Sequence, residues 1–225
     1  MINALISMSK VCTNNPLTKR PAQLGRWPFI LVGIGLLALG GCGSEAAWKS
    51  RSFAFTSPPD PVVTASHTNV LSLREVTISP LFQGRAFTYQ SAEGTYEHDP
   101  YAGFFVPPER ALEQPVRAWL RDSGLFGSVI EPDSALHPSL EAEVAINELY
   151  GDFHKSGHPA GVMEIHFILY QMSEDGPGRV LLDKTCSRQT SMPKAAPAAL
   201  MAAWDADLRE IMAEVNSALK QLDLH

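Results

Sequence analysis

Apolar and polar residues alternate most regularly between Leu140 and Ser191. Leu140, Ala142, Val144 and Ile146 are interleaved with Glu141, Glu143, Ala145 and Asn147, and Met163, Ile165, Phe167 and Leu169 with Glu164, His166, Ile168 and Tyr170. A period of two with one apolar row predicts strands packed on one face and wetted on the other. The turn Ser173 to Gly178 (SEDGPG) leads into a third long strand, Arg179 to Ser191, so short connections join the three into an antiparallel meander. The period then changes. Leu200, Trp204, Leu208, Ile211, Val215, Leu219 and Leu222 recur every three or four residues, with Asp205, Arg209, Glu210 and Lys220 on the other side. This predicts an amphipathic helix from about Pro197 to Leu222 covering one sheet face. Its polar side is not dominated by Lys and Arg, which favours packing on the core over lying on a membrane or partner.

The preceding hundred residues are less regular. Ser52 to Thr56 (SFAFT) reads as a short strand closed by Ser57, Pro58, Pro59 and Asp60. Within Val70 to Pro80, Leu71 and Leu73 share one face while Val76 and Ile78 fall in the opposite phase, so a bulge is expected at Arg74 and Glu75. Leu81 to Ala86 reads as a loop, and Phe87 to Gln90 pairs with Thr95 to His98 around Ala92, Glu93 and Gly94. Leu112, Val116, Trp119 and Leu120 form a helical stripe within Pro108 to Ser123, with Gly124 as the stop. Pro115 lies inside it, so a kink, or a start nearer Pro115, is expected. The fold class is therefore α+β: an antiparallel sheet with two main helices packed on it, one domain over residues 51–225.

Charge divides the chain. Residues 1–41 contain Lys10, Lys19, Arg20 and Arg26 and no acid, a charge of +4; the whole chain being −6, residues 42–225 carry −10. An acidic domain of this size excludes a nucleic-acid partner, whose phosphates require clustered Lys and Arg. From Trp27 to Gly41 (WPFILVGIGLLALGG) fifteen uncharged residues follow the basic segment, the build of a secretory signal. Eighteen to Ser44, diluted by Pro28 and five glycines, fall short of the roughly 20 residues of a membrane span. The 26 residues before the run are long for a signal, which leaves Met8 beside Met1 as a candidate start. Residues 42–50 (CGSEAAWKS) are small and polar, a tether before the domain.

The cysteines are Cys12, Cys42 and Cys186. With the first in the leader, Cys186 in a strand reads as a buried, inert thiol. Signatures of the commoner enzymes are missing: no Gly-Lys pair for a phosphate loop, no His-Glu-x-x-His, no Cys-x-x-Cys and no Gly-x-Ser-x-Gly. His154 and His158 have the spacing of two ligands on a helix, but Gly157 and Pro159 mark a solvated turn. Ser191 and Lys194 match Ser-x-x-Lys, yet they follow a strand, without companion motifs. Glu141 and Glu143 belong to a wetted strand face. No metal or cofactor is expected, and no catalytic residue.

Leu39, Gly40, Gly41 and Cys42 resemble the lipobox of bacterial lipoproteins. The resemblance implies cleavage between Gly41 and Cys42, diacylglycerol on the Cys42 sulfur and an acyl chain on its new amine. Gly43, rather than Asp, implies the periplasmic face of the outer membrane. Beyond the leader, a strand ending in Pro80 with Leu81, then Tyr89, Tyr101 to Pro108, and Leu120 to Val129 closing in Ser-Gly-Leu-Phe resemble the ABC-type transport auxiliary lipoproteins, which include the paraquat-inducible C lipoprotein. The match runs from about Val70 to Leu219; Phe104, Phe105, Val106, Pro107 and Pro108 stand where many members have a Trp-x-x-Pro-like segment. The resemblance implies a non-enzymatic component of an intermembrane lipid transport system, with an MCE (mammalian cell entry) protein in the periplasm and an ABC permease and ATPase at the inner membrane. The transported lipid, its direction and the oligomeric state, a homo-oligomer among the candidates, stay open. A structural envelope lipoprotein without a transport role and a periplasmic hydrolase are the alternatives. Tyr101, Phe104 and Phe105, aromatic residues beside prolines, are candidates for partner contact and equally for closing the core beneath the first helix.

Overall fold

A computed structural model describes residues 50–56, 68–154, 157–173, 176–222 and 224. These belong to the unit Trp48–His225, and the other unit, Met1–Ala47, lies outside them. The strands are β1 (Arg51–Phe53), β2 (Val70–Leu73), β3 (Thr77–Ile78), β4 (Ala86–Ala92), β5 (Thr95–Phe104), β6 (Ser128–Ile130), β7 (Leu140–Asp152), β8 (Ala160–Ser173) and β9 (Gly176–Ser191). Helix α1 (Pro108–Asp122) joins β5 to β6, α2 (Pro197–Leu219) ends the fold, and a 3₁₀ turn spans Pro80–Phe82.

The alternating segment forms the meander β7–β8–β9, antiparallel throughout. Strand β7 is the spine. β8 runs along one edge, while β2, β3 and β4 follow one another along the other, pairing in parallel at Leu140–Ala142, Ala145–Ile146 and Gly151–Asp152. β6 adds to β2, and β5 and then β1 add to β4, so the sheet is mixed. The α+β class and both helices stand as expected. The parallel pairings were not visible because hydrophobic period reports which face a residue takes, not the direction of its neighbour.

Two bulges set the register. Leu73 pairs with Ala142 and Thr77 with Ala145, so β2 and β3 spend one residue more than β7 over the same length. This is the slip expected at Arg74 and Glu75; it buries Leu71 and Leu73 and then Val76 and Ile78. The second was not foreseen. Ile146 pairs with Ile165 but Glu148 with Glu164, leaving Asn147 over, and the buried row passes from Ile146 to Leu149. The β4–β5 hairpin closes as expected with Ala92 opposite Thr95, Gly94 taking φ +69°.

Helix α1 departs from the expectation at Pro115. It begins at Pro108 and continues through Pro115 unbroken. Proline forfeits only the bond to the Ala111 carbonyl, and the buried row Leu112, Val116 and Leu120 on the same helix offsets that loss. Gly124 stops the helix at φ +71°. Helix α2 ends at Leu219, short of Leu222, because Gln221 and Leu222 tighten into three-residue turns on the carbonyls of Ala218 and Leu219.

Helix α2 lies over β8 and β9 and sits close to β7 and β8 through two glycines. A Cβ on Gly161 would stand 2.8 Å from Ala203 Cβ, and one on Gly151 3.0 Å from Leu200 Cδ2. Trp204, fully buried, is the hub of this layer. Its ring meets Phe87 edge-on at 5.0 Å and stacks on Phe104 at 5.4 Å, while Nε1 donates to the carbonyls of Val162 at 3.1 Å and Tyr150 at 3.3 Å. Gly161→Val is expected to lift α2 and cost roughly 1–3 kcal/mol. A lower urea midpoint at unchanged slope checks it.

Candidate functional site

Cys42 and Gly41, the expected lipidation and cleavage positions, lie outside the described residues, as do 43–49 of the tether. Among the described residues no helix is long and apolar enough to cross a membrane.

The three candidate aromatic contacts separate. Residues of β5 alternate between the two sheet faces, so Ala102 and Phe104 turn inward while Tyr101 and Gly103 turn out. Phe104 is therefore a correction: it is 4% exposed and sits among Phe55, Phe87 and Trp204, beneath α2 rather than α1. Tyr101 is 44% exposed and Phe105, just past the strand, 69%. Strand β1 pairs alongside, Arg51 with Ala102 and Phe53 with Phe104, and Phe105 N donates to Phe53 O at 2.8 Å. Beyond β1, Thr56 is fastened to α2 by its N–H and hydroxyl, which donate to Asp205 at 3.0 and 2.7 Å. Arg51 and Arg85 border one hollow of about 180 Å³ between β1 and the start of β4. Sequence reasoning missed this pair, because the two arginines are far apart in the chain and only strand pairing brings them together.

The wetted face of the meander carries a larger cleft, about 380 Å³, lined by Arg74, Thr77, Glu143 and His166 among others. Arg74 ion-pairs with Glu141 at 3.4 Å and with Glu143, whose carboxylate also accepts from Tyr170 at 3.3 Å. The hydrogen bond to Glu143 is the main cause that raises the Arg74 pKa. The cation at the cleft mouth is thus matched by its own carboxylates. His166 Nε2 lies 2.7 Å from Asp183. Thr77 is in register with Ala145 and Ala145 with His166, so their backbones are two strand spacings apart, about 10 Å.

The remaining motifs are placed simply. His154 and His158 are exposed in the β7–β8 connection, with His154 Nδ1 bonded to Asp152. Ser191 ends β9 and Lys194 is exposed in the loop after it, not on a core helix. Cys186 is buried, and desolvation first, then Glu214, raises its thiol pKa. Among the described residues no group of three or more His, Cys, Asp or Glu is arranged to hold a metal.

One buried acid escaped the sequence reading. Asp207 is 0% exposed and accepts from the Thr190 hydroxyl at 2.6 Å, while its second oxygen has no partner among the described residues. It lies three residues after Trp204 and seven after Leu200, so the helical spacing itself marked it as inward. Burial raises its pKa from 3.8 to about 6, against the opposing pull of the Thr190 bond. A raised carboxylate pKa favours the fold below the unfolded value and loses that contribution as pH rises through about 6, here by roughly 3 kcal/mol. Asp207→Asn removes the titration: the difference in urea midpoint between variant and parent should widen in the variant's favour from pH 5 to pH 8. Glu214 has the opposite sign. Bonds from Lys184 and Arg188 lower it to about 2, so its contribution is present above the ordinary glutamate range and lost as pH falls through about 2. About a third of it is exposed, so screening keeps that contribution small.

No protein-family model and no curated protein matches the sequence. Solved structures do resemble the fold. A Xanthomonas campestris protein described by the family model DUF330 superposes with a TM-score of 0.65 at 19% identity, over 76% of this chain and 95% of its own. An uncharacterized protein gives 0.52 at 11% identity, over 71% and 98%. A PelC dodecamer from Paraburkholderia phytofirmans gives 0.39 at 15% identity, over 75% and 94%. At these identities the likeness is one of fold, and the domain from β1 to α2 has the architecture of the DUF330 protein.

Proposed function

We propose that this chain is a lipid-anchored periplasmic protein of the outer membrane, serving without catalysis as the auxiliary component of an ABC/MCE-type intermembrane lipid transport system. The observation that carries the reading is the order of its parts: a basic leader ending in Leu39-Gly40-Gly41-Cys42, a stretch of eight further residues, and then a strand, a hairpin, a proline-bearing helix, a meander and a closing helix. The fold likeness to the DUF330 protein supports that order at the level of architecture. The physical division of labour is plain. One acyl chain holds a protein on a bilayer only marginally, so two or three on Cys42 supply a stable anchor, and the folded domain is left to make contacts. In the wetted cleft the arginine is matched by carboxylates of the same sheet face, an arrangement suited to contact with a partner.

The test is a pull-down of the acylated protein from its native envelope in mild detergent, with mass spectrometry of what accompanies it. The expected result is an MCE protein with its permease. Recovery of envelope structural proteins alone would overturn the transport role and leave a structural lipoprotein.

A further inference from the structure

We propose that the β1–β5 edge bearing Arg51, Arg85, Tyr101 and Phe105 docks on the bilayer, seating a lipid phosphate between the two arginines while the aromatic rings enter the interfacial layer. The proposal rests on the reading of Cys42 as the lipid anchor and adds to it the face that the domain turns to the membrane.

The length of the tether and the place where it ends carry the inference. Nine residue steps separate Cys42 from Arg51, a reach of about 30 Å when fully extended and some 15–18 Å as a flexible coil. The surface around Arg51 is therefore kept within that distance of the membrane. Because Arg51 pairs with Ala102, the chain enters the sheet next to Tyr101, and two residues later the Phe53 carbonyl accepts from Phe105 N–H. These two, with Val106, are among the large apolar residues exposed in the fold. Gly103 lies between them on the same face and bears no side chain; a Cβ there would stand 2.2 Å from the Arg85 carbonyl, so the Arg85 backbone crosses directly over it. Arg85 Nη1 donates to the Phe105 carbonyl at 3.2 Å. The edge thus presents an aromatic residue, a cation and a second aromatic residue in a row, the mix that partitions to a membrane interface.

Charge points the same way. Residues 42–225 carry −10, so the domain as a whole is repelled by anionic headgroups. Arg51 and Arg85 border the same hollow, and Asp99, which also lines it, already accepts from the Tyr89 hydroxyl and from the backbone N–H groups of Tyr101 and Ala102 at 2.7 and 2.9 Å. A lipid phosphate therefore meets two guanidinium groups and a carboxylate that is already engaged.

The test uses the acylated protein, purified from the envelope and reconstituted in phosphatidylethanolamine–phosphatidylglycerol vesicles. Phe105→Cys carries a fluorophore in one sample and Val180→Cys, exposed on the opposite edge strand, in another; headgroup spin-labelled lipid is the quencher. Docking predicts quenching several times stronger at position 105 than at 180. Replacing both Arg51 and Arg85 by Gln should weaken the docking equilibrium about thirtyfold, at roughly 1 kcal/mol for each basic side chain near the surface. Intact mass separates the two readings. Acylated protein with equally weak quenching at both positions overturns the docking and leaves the patch to a protein partner, while the anchor stands. Protein that carries no lipid overturns the anchor and, with it, the docking.

Discussion

Trp204→Ala is expected to bring the domain close to unfolding at ordinary temperature. The side chain fills the space between Phe87 and Phe104, and its Nε1 is shared by the carbonyls of Val162 on β8 and Tyr150 on β7. Truncation leaves a cavity at the layer where helix meets sheet, which for a buried aromatic residue costs about 3–5 kcal/mol. It also strips a buried donor from two strands at once. Against the 5–15 kcal/mol that hold most domains together, and at 2–4 °C per kcal/mol for a chain of this size, a melting point lower by roughly 6–20 °C follows. A thermal melt followed by circular dichroism measures it. A shift of a degree or two would mean that the core is not organised around this residue.

The second large effect concerns place rather than stability. Cys42→Ala removes the only sulfur at the end of the leader, and with it both the acceptor of diacylglycerol and the site of cutting implied by the lipobox. The acylated form is expected to vanish and the outer-membrane fraction to be emptied. The protein would then be found soluble in the periplasm or held at the inner membrane by its uncut leader. Its urea midpoint should not change, since Cys42 stands nine residue steps before β1, the first described strand of the domain. Density-gradient separation of the membranes reads the first effect. An unchanged outer-membrane pool would show that something other than Cys42 holds the protein there.

Much of this architecture could be read from the residues because one apolar row repeated without interruption. The rows Leu140 to Ile146 and Met163 to Leu169 specified β7 and β8, and the Leu200 to Leu219 stripe specified α2. The phase slip at Arg74 and Glu75 announced its bulge. The slip at Asn147 did not, since beyond it Leu149 and Gly151 continue the row with a glycine that packs against the Leu200 side chain rather than with a branched residue. Pro115 misled for a local reason: its backbone cost is real, but burial of its helix outweighs it. The site was harder. Tyr101 and Phe105 were singled out by composition and are exposed; Phe104, one residue from Phe105, belongs to the core because strand alternation sends neighbours to opposite faces. Arg51 and Arg85 had no signal in the chain at all. Their proximity comes from the β1–β5–β4 pairing, which no short-range pattern encodes.

The most direct test of a domain hung on a bilayer through Cys42 is the intact mass of the protein extracted from its native envelope. The mass predicted is that of residues 42–225 plus a diacylglycerol and an amide-linked acyl chain, with the lipids on the N-terminal cysteine in the fragment spectrum. A mass that retains the leader, or a chain that begins elsewhere and carries no lipid, would contradict it.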